Sequence, residues 1–198
     1  MSFKLHYPPG ATPLDPDEIA GLIPQFISTQ GELNILEQEN ILNGKSWALK
    51  YKKDLLDESF VRTLHKRMYK DVWKWAGQYR KSQKTIGIDA HQISTQINLL
   101  TKDTQAWIEH QSYPWHEILA RFHHRLVFIH PFVNGNGRHA RLHTELLAIR
   151  NEQRVPSWGA QNFKGELENK SEVRKHYIEC LKLADQKKYS KLVDFLYS

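Results

Sequence analysis

The chain has 198 residues, with 28 Lys and Arg against 22 Asp and Glu (net charge +6), 40% apolar and 25% charged residues. That balance excludes intrinsic disorder, since enough apolar surface exists to offset chain entropy, and it predicts one domain. A lone Cys180 excludes an intramolecular disulfide and a multi-cysteine zinc site, and no apolar run approaches the roughly 18 residues of a membrane span.

In chain order, Pro8, Pro9, Pro13 and Pro16 predict an extended arm over residues 1–16, without the apolar core of a secretory signal, so the expected location is cytoplasmic. Asp15-Pro16-Asp17-Glu18 reads as a helix start, with Pro24 limiting that helix to about two turns. Glu32 to about Leu42 has helical spacing of Ile35, Leu36 and Leu42. Asp57-Glu58 opens a helix with a Phe60, Val61, Leu64, Met68 stripe, ending at Trp73-Lys74-Trp75-Ala76-Gly77. Residues 78–89 lack a helical period; the β-leaning Thr85-Ile86-Gly87-Ile88 predicts a small hairpin or an exposed extended segment.

Ile93, Ile97, Leu100 and Trp107 predict a long amphipathic helix over 90–111. Pro114 starts the next, with Ile118, Leu119, Phe122, Leu126 and Ile129 facing a core, and Pro131 stops it. The turn Asn134-Gly135-Asn136-Gly137 leads into a helix from Arg138 to about Asn151. Residues 155–165 read as loop, Ser171-Glu172 as the cap of a penultimate helix, and Leu192, Phe195 and Leu196 as a short final one. In Cys180, between Tyr177 and Leu181, we read core filling and not redox chemistry. The fold class is all-α with one short flap.

The stretch HPFVNGNGRHAR at 130–141 carries the chemistry. Two glycines within three positions, followed at once by a helix, present a nest of N–H donors and the positive end of the helix dipole. Arg138 and Arg141 are three residues apart, so both can project from one side of the first turn, and two guanidinium forks beside such a nest suit a polyphosphate. His130, with its near-neutral intrinsic pKa, is placed to deprotonate an attacking hydroxyl. On spacing alone an ordinary helix–loop–helix turn with solvated arginines fits as well. A Walker loop does not fit, because the Lys-Ser/Thr pair is missing, nor does a Rossmann fingerprint, because a helix precedes the loop.

These residues resemble the motif of the Fic (filamentation induced by cAMP) family, His-Pro-Phe-x-Asp/Glu-Gly-Asn-Gly-Arg-x-x-Arg, with Asn134 standing where the family has an acid. Leu64-His65, Trp75-Ala76-Gly77 and Tyr79-Arg80 resemble the segment leading to that family's flap, so the likeness covers about 55–185. In detail the chain resembles the branch called mobile mystery protein B, often encoded beside a small helix-turn-helix partner. The resemblance implies a compact helical bundle with a short β-hairpin flap. It divides the chain into an N-terminal arm and helices over 1–54, with a regulatory role, and a catalytic core with C-terminal helices over 55–198. It also implies transfer of AMP from ATP to a Ser, Thr or Tyr hydroxyl of a target protein, with Mg²⁺ as cofactor and autoinhibition in many members.

Carried over, His130 is the base and Phe132 anchors the loop. Gly135, Asn136 and Gly137 cradle the α- and β-phosphates through backbone and amide donors, with Arg138 on the β- and Arg141 on the γ-phosphate. Asn134 takes the place of the metal-holding acid with a weaker, neutral oxygen. Thr85, Ile86, Gly87 and Ile88 form the flap that docks an extended target segment by strand addition. The family's inhibitory Ser/Thr-x-x-x-Glu-Gly/Asn helix is matched in spacing by Ser28 and Glu32, with Leu33 in the last place, which makes Glu32 the inhibitory candidate. The alternative function is a weakened or repurposed nucleotide-binding module.

Two further readings compete. His139 and His143, at i and i+4, have metal-ligand spacing, but HARLH lacks the Glu that a zinc-protease helix needs, and adjacent His123 and His124 point apart. Lys50, Lys52 and Lys53, Lys66 and Arg67, and Lys187 and Lys188 are short, separated basic clusters and do not form one stripe. That argues against a nucleic-acid partner.

Overall fold

The structure, a computed structural model, describes residues 14–159 and 169–198, with side chains from 172 onward in the second part. The arm over 1–13 and the 160–165 part of the expected loop lie outside the described residues.

Helix α1 (Pro16–Ile19) starts where Asp15 and Glu18 close a capping box, and it is a single turn where two were expected. Helix α2 (Gln30–Leu49) is longer than its apolar spacing predicts. It begins three residues after Ile27, at a capping box of Thr29 and Glu32, and buries Leu33, Glu37, Asn40, Gly44 and Ala48 on one face. Helix α3 (Glu58–Tyr69) carries the expected stripe but stops at Tyr69. The chain then turns, with the Trp73 N–H bonding to the Tyr69 carbonyl, so the Trp73–Gly77 segment is turn and not helix. Helices α4 (Ile93–Glu109, after a 3₁₀ turn at Ala90–Gln92), α5 (Trp115–Ile129), α6 (Asn136–Arg150), α7 (Asn169–Asp185) and α8 (Ser190–Leu196) complete the order.

Helix α5 is central, touching α4, α6, α7 and α8, while α3 packs on α2, α4 and α6. The bundle buries Phe60, Leu64, Met68, Ile97, Leu119, Phe122, Leu126 and Ile129, and Cys180 fills the core beside them. The expected hairpin is not formed. Among the described residues the extended pairings are isolated bridges, Leu22 with Trp73 and Tyr79 with Phe132, and residues 82–88 run without a strand partner. Thr85 to Ile88 have strand propensity but meet side chains and not a second strand, and propensity alone does not make a ladder.

Candidate active site

Helix α5 ends at His130, which adopts left-handed backbone angles (φ 53°, ψ 58°) and turns the chain out of the helix. Phe132, fully buried, follows at once and stacks on His65 at 3.7 Å between ring centres and 16° between planes. His65, also fully buried, bridges two segments: its Nδ1 accepts from the Gly77 N–H at 2.9 Å and its Nε2–H donates to the Asn134 carbonyl at 3.0 Å. Burial holds its pKa down at about 3, so it stays neutral with one fixed tautomer.

Gly135 caps α6 with φ +77°, and a Cβ there would meet the Tyr69 hydroxyl at 2.5 Å, so this turn accepts only glycine. Asn136 is buried, and its amide is spent on the loop: Oδ1 accepts from the Phe132 N–H at 2.9 Å and Nδ2 donates to the Phe132 carbonyl at 2.8 Å. The Asn136 side chain thus locks the loop, and the residue also borders the cavity onto which the loop opens.

The loop opens onto a cavity of about 660 Å³, within the usual range for small-molecule sites. His130, Gly135, Gly137, Arg138 and Arg141 line it, as do Thr85, Ile86 and Gly87 of the flap. Ile88 instead packs against the core. Burial pushes the His130 imidazole down to about 4, so it is neutral and able to accept a proton near pH 7. Arg141 stacks over Tyr177 at 5.8 Å and Arg138 over Tyr69 at 5.2 Å.

Arg138 is also held by an acid. Its Nη1 pairs with Glu37 at 2.6 Å, and the other Glu37 oxygen accepts from Trp73 Nε1 at 2.7 Å. Glu32, the inhibitory candidate from the sequence, sits elsewhere. Its carboxylate accepts from the Ser28 and Thr29 N–H groups at the start of α2, and those bonds hold its pKa down. The acid that meets a motif arginine is Glu37, and the arginine it meets is the first of the pair.

Residues 55–148 match the sequence profile of the Fic/DOC family. The profile likeness to a Fic/DOC domain is confined to that stretch. Protein adenylyltransferase Fic of Aedes aegypti is 28% identical over 126 residues, covering 58% of this chain and 25% of that protein. Its Drosophila melanogaster counterpart is 30% identical over 126 residues with the same coverages. The match thus spans about a quarter of those curated relatives. Among solved structures, the N-terminal Fic domain of a VirB-translocated Bep effector from Bartonella quintana superposes with TM-score 0.68 at 16% identity, covering 90% of this chain and 92% of that one. BepC of Bartonella tribocorum, solved with bound AMPPNP, gives TM-score 0.66 at 17% identity, with coverages of 90% and 95%. Both speak for a shared all-α Fic fold.

Within this loop, a divalent cation would find few protein donors. Asn134 Oδ1 already accepts from the Gly135 N–H and lies 3.5 Å from Arg138 Nη2, and the described residues hold no cluster of three or more His, Cys, Asp or Glu. This donor set does not fit a resident Mg²⁺. Nor do the histidines form a metal site: His139 and His143 are buried and donate from Nε2 to the Val61 and Leu55 carbonyls at 2.9 and 2.8 Å. His123 faces the Tyr177 hydroxyl, while His124 faces Asp185. No helix of the described residues is long and apolar enough to cross a membrane.

Four site residues escaped the sequence reading. Glu37 had a legible signal, being an acid in register with Leu33, Asn40 and Gly44 on the core face of α2. Arg174, from α7, lines the cavity with Arg138 and Arg141, and burial followed by those two charges depresses its pKa. Nothing in the local sequence marks Arg174, nor the bridging role of His65 or the contacts of Arg80.

Proposed function

We propose that this chain is a protein adenylyltransferase, moving AMP from ATP onto a Ser, Thr or Tyr hydroxyl, with Glu37 holding it in a restrained state. The observation that carries this reading is one cavity that brings together the neutral His130, the Gly135–Gly137 turn at the α6 N-terminus, and Arg138 and Arg141. In this reading the α6 N–H groups and the arginines hold the triphosphate, and His130 takes the target hydroxyl's proton as its oxygen attacks the α-phosphorus. Pyrophosphate leaves on the opposite side. Positioning and fixed charge supply the acceleration. The negative charge of bound phosphates raises the His130 pKa from its low value and strengthens it as a base.

Any magnesium enters as part of the nucleotide substrate, held by phosphate oxygens and water. The flap residues Thr85, Ile86 and Gly87, which line the cavity beside His130, support docking of an extended target segment. That Asn134 Oδ1 is already taken by the Gly135 N–H favours a second reading, a module that binds nucleotide without transferring it.

The test is label transfer from ATP, CTP, GTP and UTP to the protein itself and to lysate, with and without Mg²⁺, alongside direct binding. Labelling from ATP by wild type and none by His130→Ala supports the transferase. Tight ATP binding without labelling, even after Asn134→Asp, assigns the binding module.

A further inference from the structure

Arg80 lies between the flap and His130, and no step above uses it. Its side chain is buried, 2% exposed, where a lone guanidinium is costly without full hydrogen bonding. It is surrounded by carbonyls from two segments. Nε donates to the His130 carbonyl at 2.7 Å and Nη2 reaches that of Ile129 at 3.5 Å. On the flap side, Nη1 donates to the Ser82 carbonyl at 3.0 Å and Nη2 donates to Ile88. The Arg80 N–H adds a bond to the Pro131 carbonyl at 2.9 Å. The charge thus caps the negative end of the α5 dipole while gripping both ends of residues 82–88.

Gly87 shows how close the two segments are. At φ +104°, a Cβ on it would lie 2.6 Å from His130 Cβ and 2.8 Å from Arg80 Nη2. The flap therefore rests directly on the histidine, with no strand ladder to set its height.

We propose that Arg80 is a positioning residue that fixes the flap and His130 as one unit, so that a target hydroxyl docked on the flap meets the imidazole at attack distance. The inference rests on the transferase reading. A lysine cannot replace it, because one ammonium cannot span carbonyls on two segments as a planar fork does.

The experiment compares Arg80→Lys and Gly87→Ala in a Glu37→Gly background, measuring self-labelling from ATP, ATP binding by calorimetry, and amide exchange. A misplacement near 1 Å costs about a hundredfold in rate, so each variant loses about that much labelling. ATP affinity changes by less than about threefold, because none of the residues proposed to hold phosphate, Gly135, Gly137, Arg138 and Arg141, is a partner of Arg80. Exchange rises together over 82–88 and 129–133 in Arg80→Lys. Labelling near the parent rate, or ATP binding lost in step with labelling, overturns the proposal. If the Glu37→Gly parent binds ATP without labelling, the transferase reading has failed. Exchange then decides the clamp alone, and a rise confined to the flap overturns it. Gly87→Ala keeps the test informative should Arg80→Lys misfold.

Discussion

The loop over 130–137 and the flap over 82–88 touch at His130 and line one cavity, but are held in opposite ways. The loop is bound by its own residues and by the core beneath it: Asn136 ties both polar groups of the Phe132 backbone, and Phe132 stacks on His65. The flap makes no strand ladder and is gripped by long charged side chains, Arg80 from below and Lys84, which pairs with Glu18 and Asp15 near α1 at 2.6 and 2.7 Å. The surface proposed to meet phosphate is therefore rigid by packing, whereas the surface proposed to meet protein is set by electrostatics and can be loosened without unfolding the domain.

Breaking the loop has the largest expected effect. Phe132→Ala empties a fully buried site and costs about 3–5 kcal/mol in denaturant unfolding, with nucleotide binding lost. A cost below about 1 kcal/mol would mean the loop is not part of the core.

Acid sharpens the same contrast. Burial holds the folded pKa of His65 and His123 at about 3 and of His143 at about 4, below the ordinary 6.5. Because these values are depressed, the unfolded chain binds protons first. Stability is fully present above about pH 6.5 and falls below it, by up to about 1.4 kcal/mol per pH unit for each group until the folded pKa is reached. Urea midpoints that drop steadily from about pH 6.5 towards about pH 4.5 are expected. A flat profile there would contradict the buried, neutral assignment. Arg80 keeps its charge throughout, so the flap grip is not what acid removes.

The smallest effect belongs to the flap. Lys84→Met removes the pairing to α1 and leaves Arg80 in place. The Lys84 side chain is only 4% exposed, so the unfolding free energy falls by about 1–2 kcal/mol, less than for Phe132→Ala, while exchange over 82–88 quickens by less than about tenfold. A large loss of global stability would show that the flap is part of the core after all.

The same division explains what the sequence disclosed. Helices α3, α5 and α6 were legible because apolar stripes, Pro114 and the glycines mark them within one element. The hairpin was misread because residues 85–88 have strand propensity but their partner is a guanidinium five residues upstream of Thr85. Glu32 was misread for a related reason. Glu32 lies four residues after Ser28, the inhibitory spacing, but also three after Thr29, the spacing of a capping box, and the Ser28 and Thr29 N–H groups claim that carboxylate. Glu37 could be read as an acid on the core face of α2, but its pairing with Arg138, 101 positions away, lies beyond any local pattern.

The central claim is that His130 transfers a nucleotide under restraint by Glu37. It is tested most directly by self-labelling from ATP in Glu37→Gly, Glu32→Gly and the Glu37→Gly, His130→Ala double variant. Glu37→Gly is expected to label about 5- to 150-fold faster than wild type, the range of a coupling of about 1–3 kcal/mol. Glu32→Gly should match wild type, and the double variant should be silent. Equal labelling with and without His130, or no gain on removing Glu37 while Glu32→Gly accelerates, would contradict it.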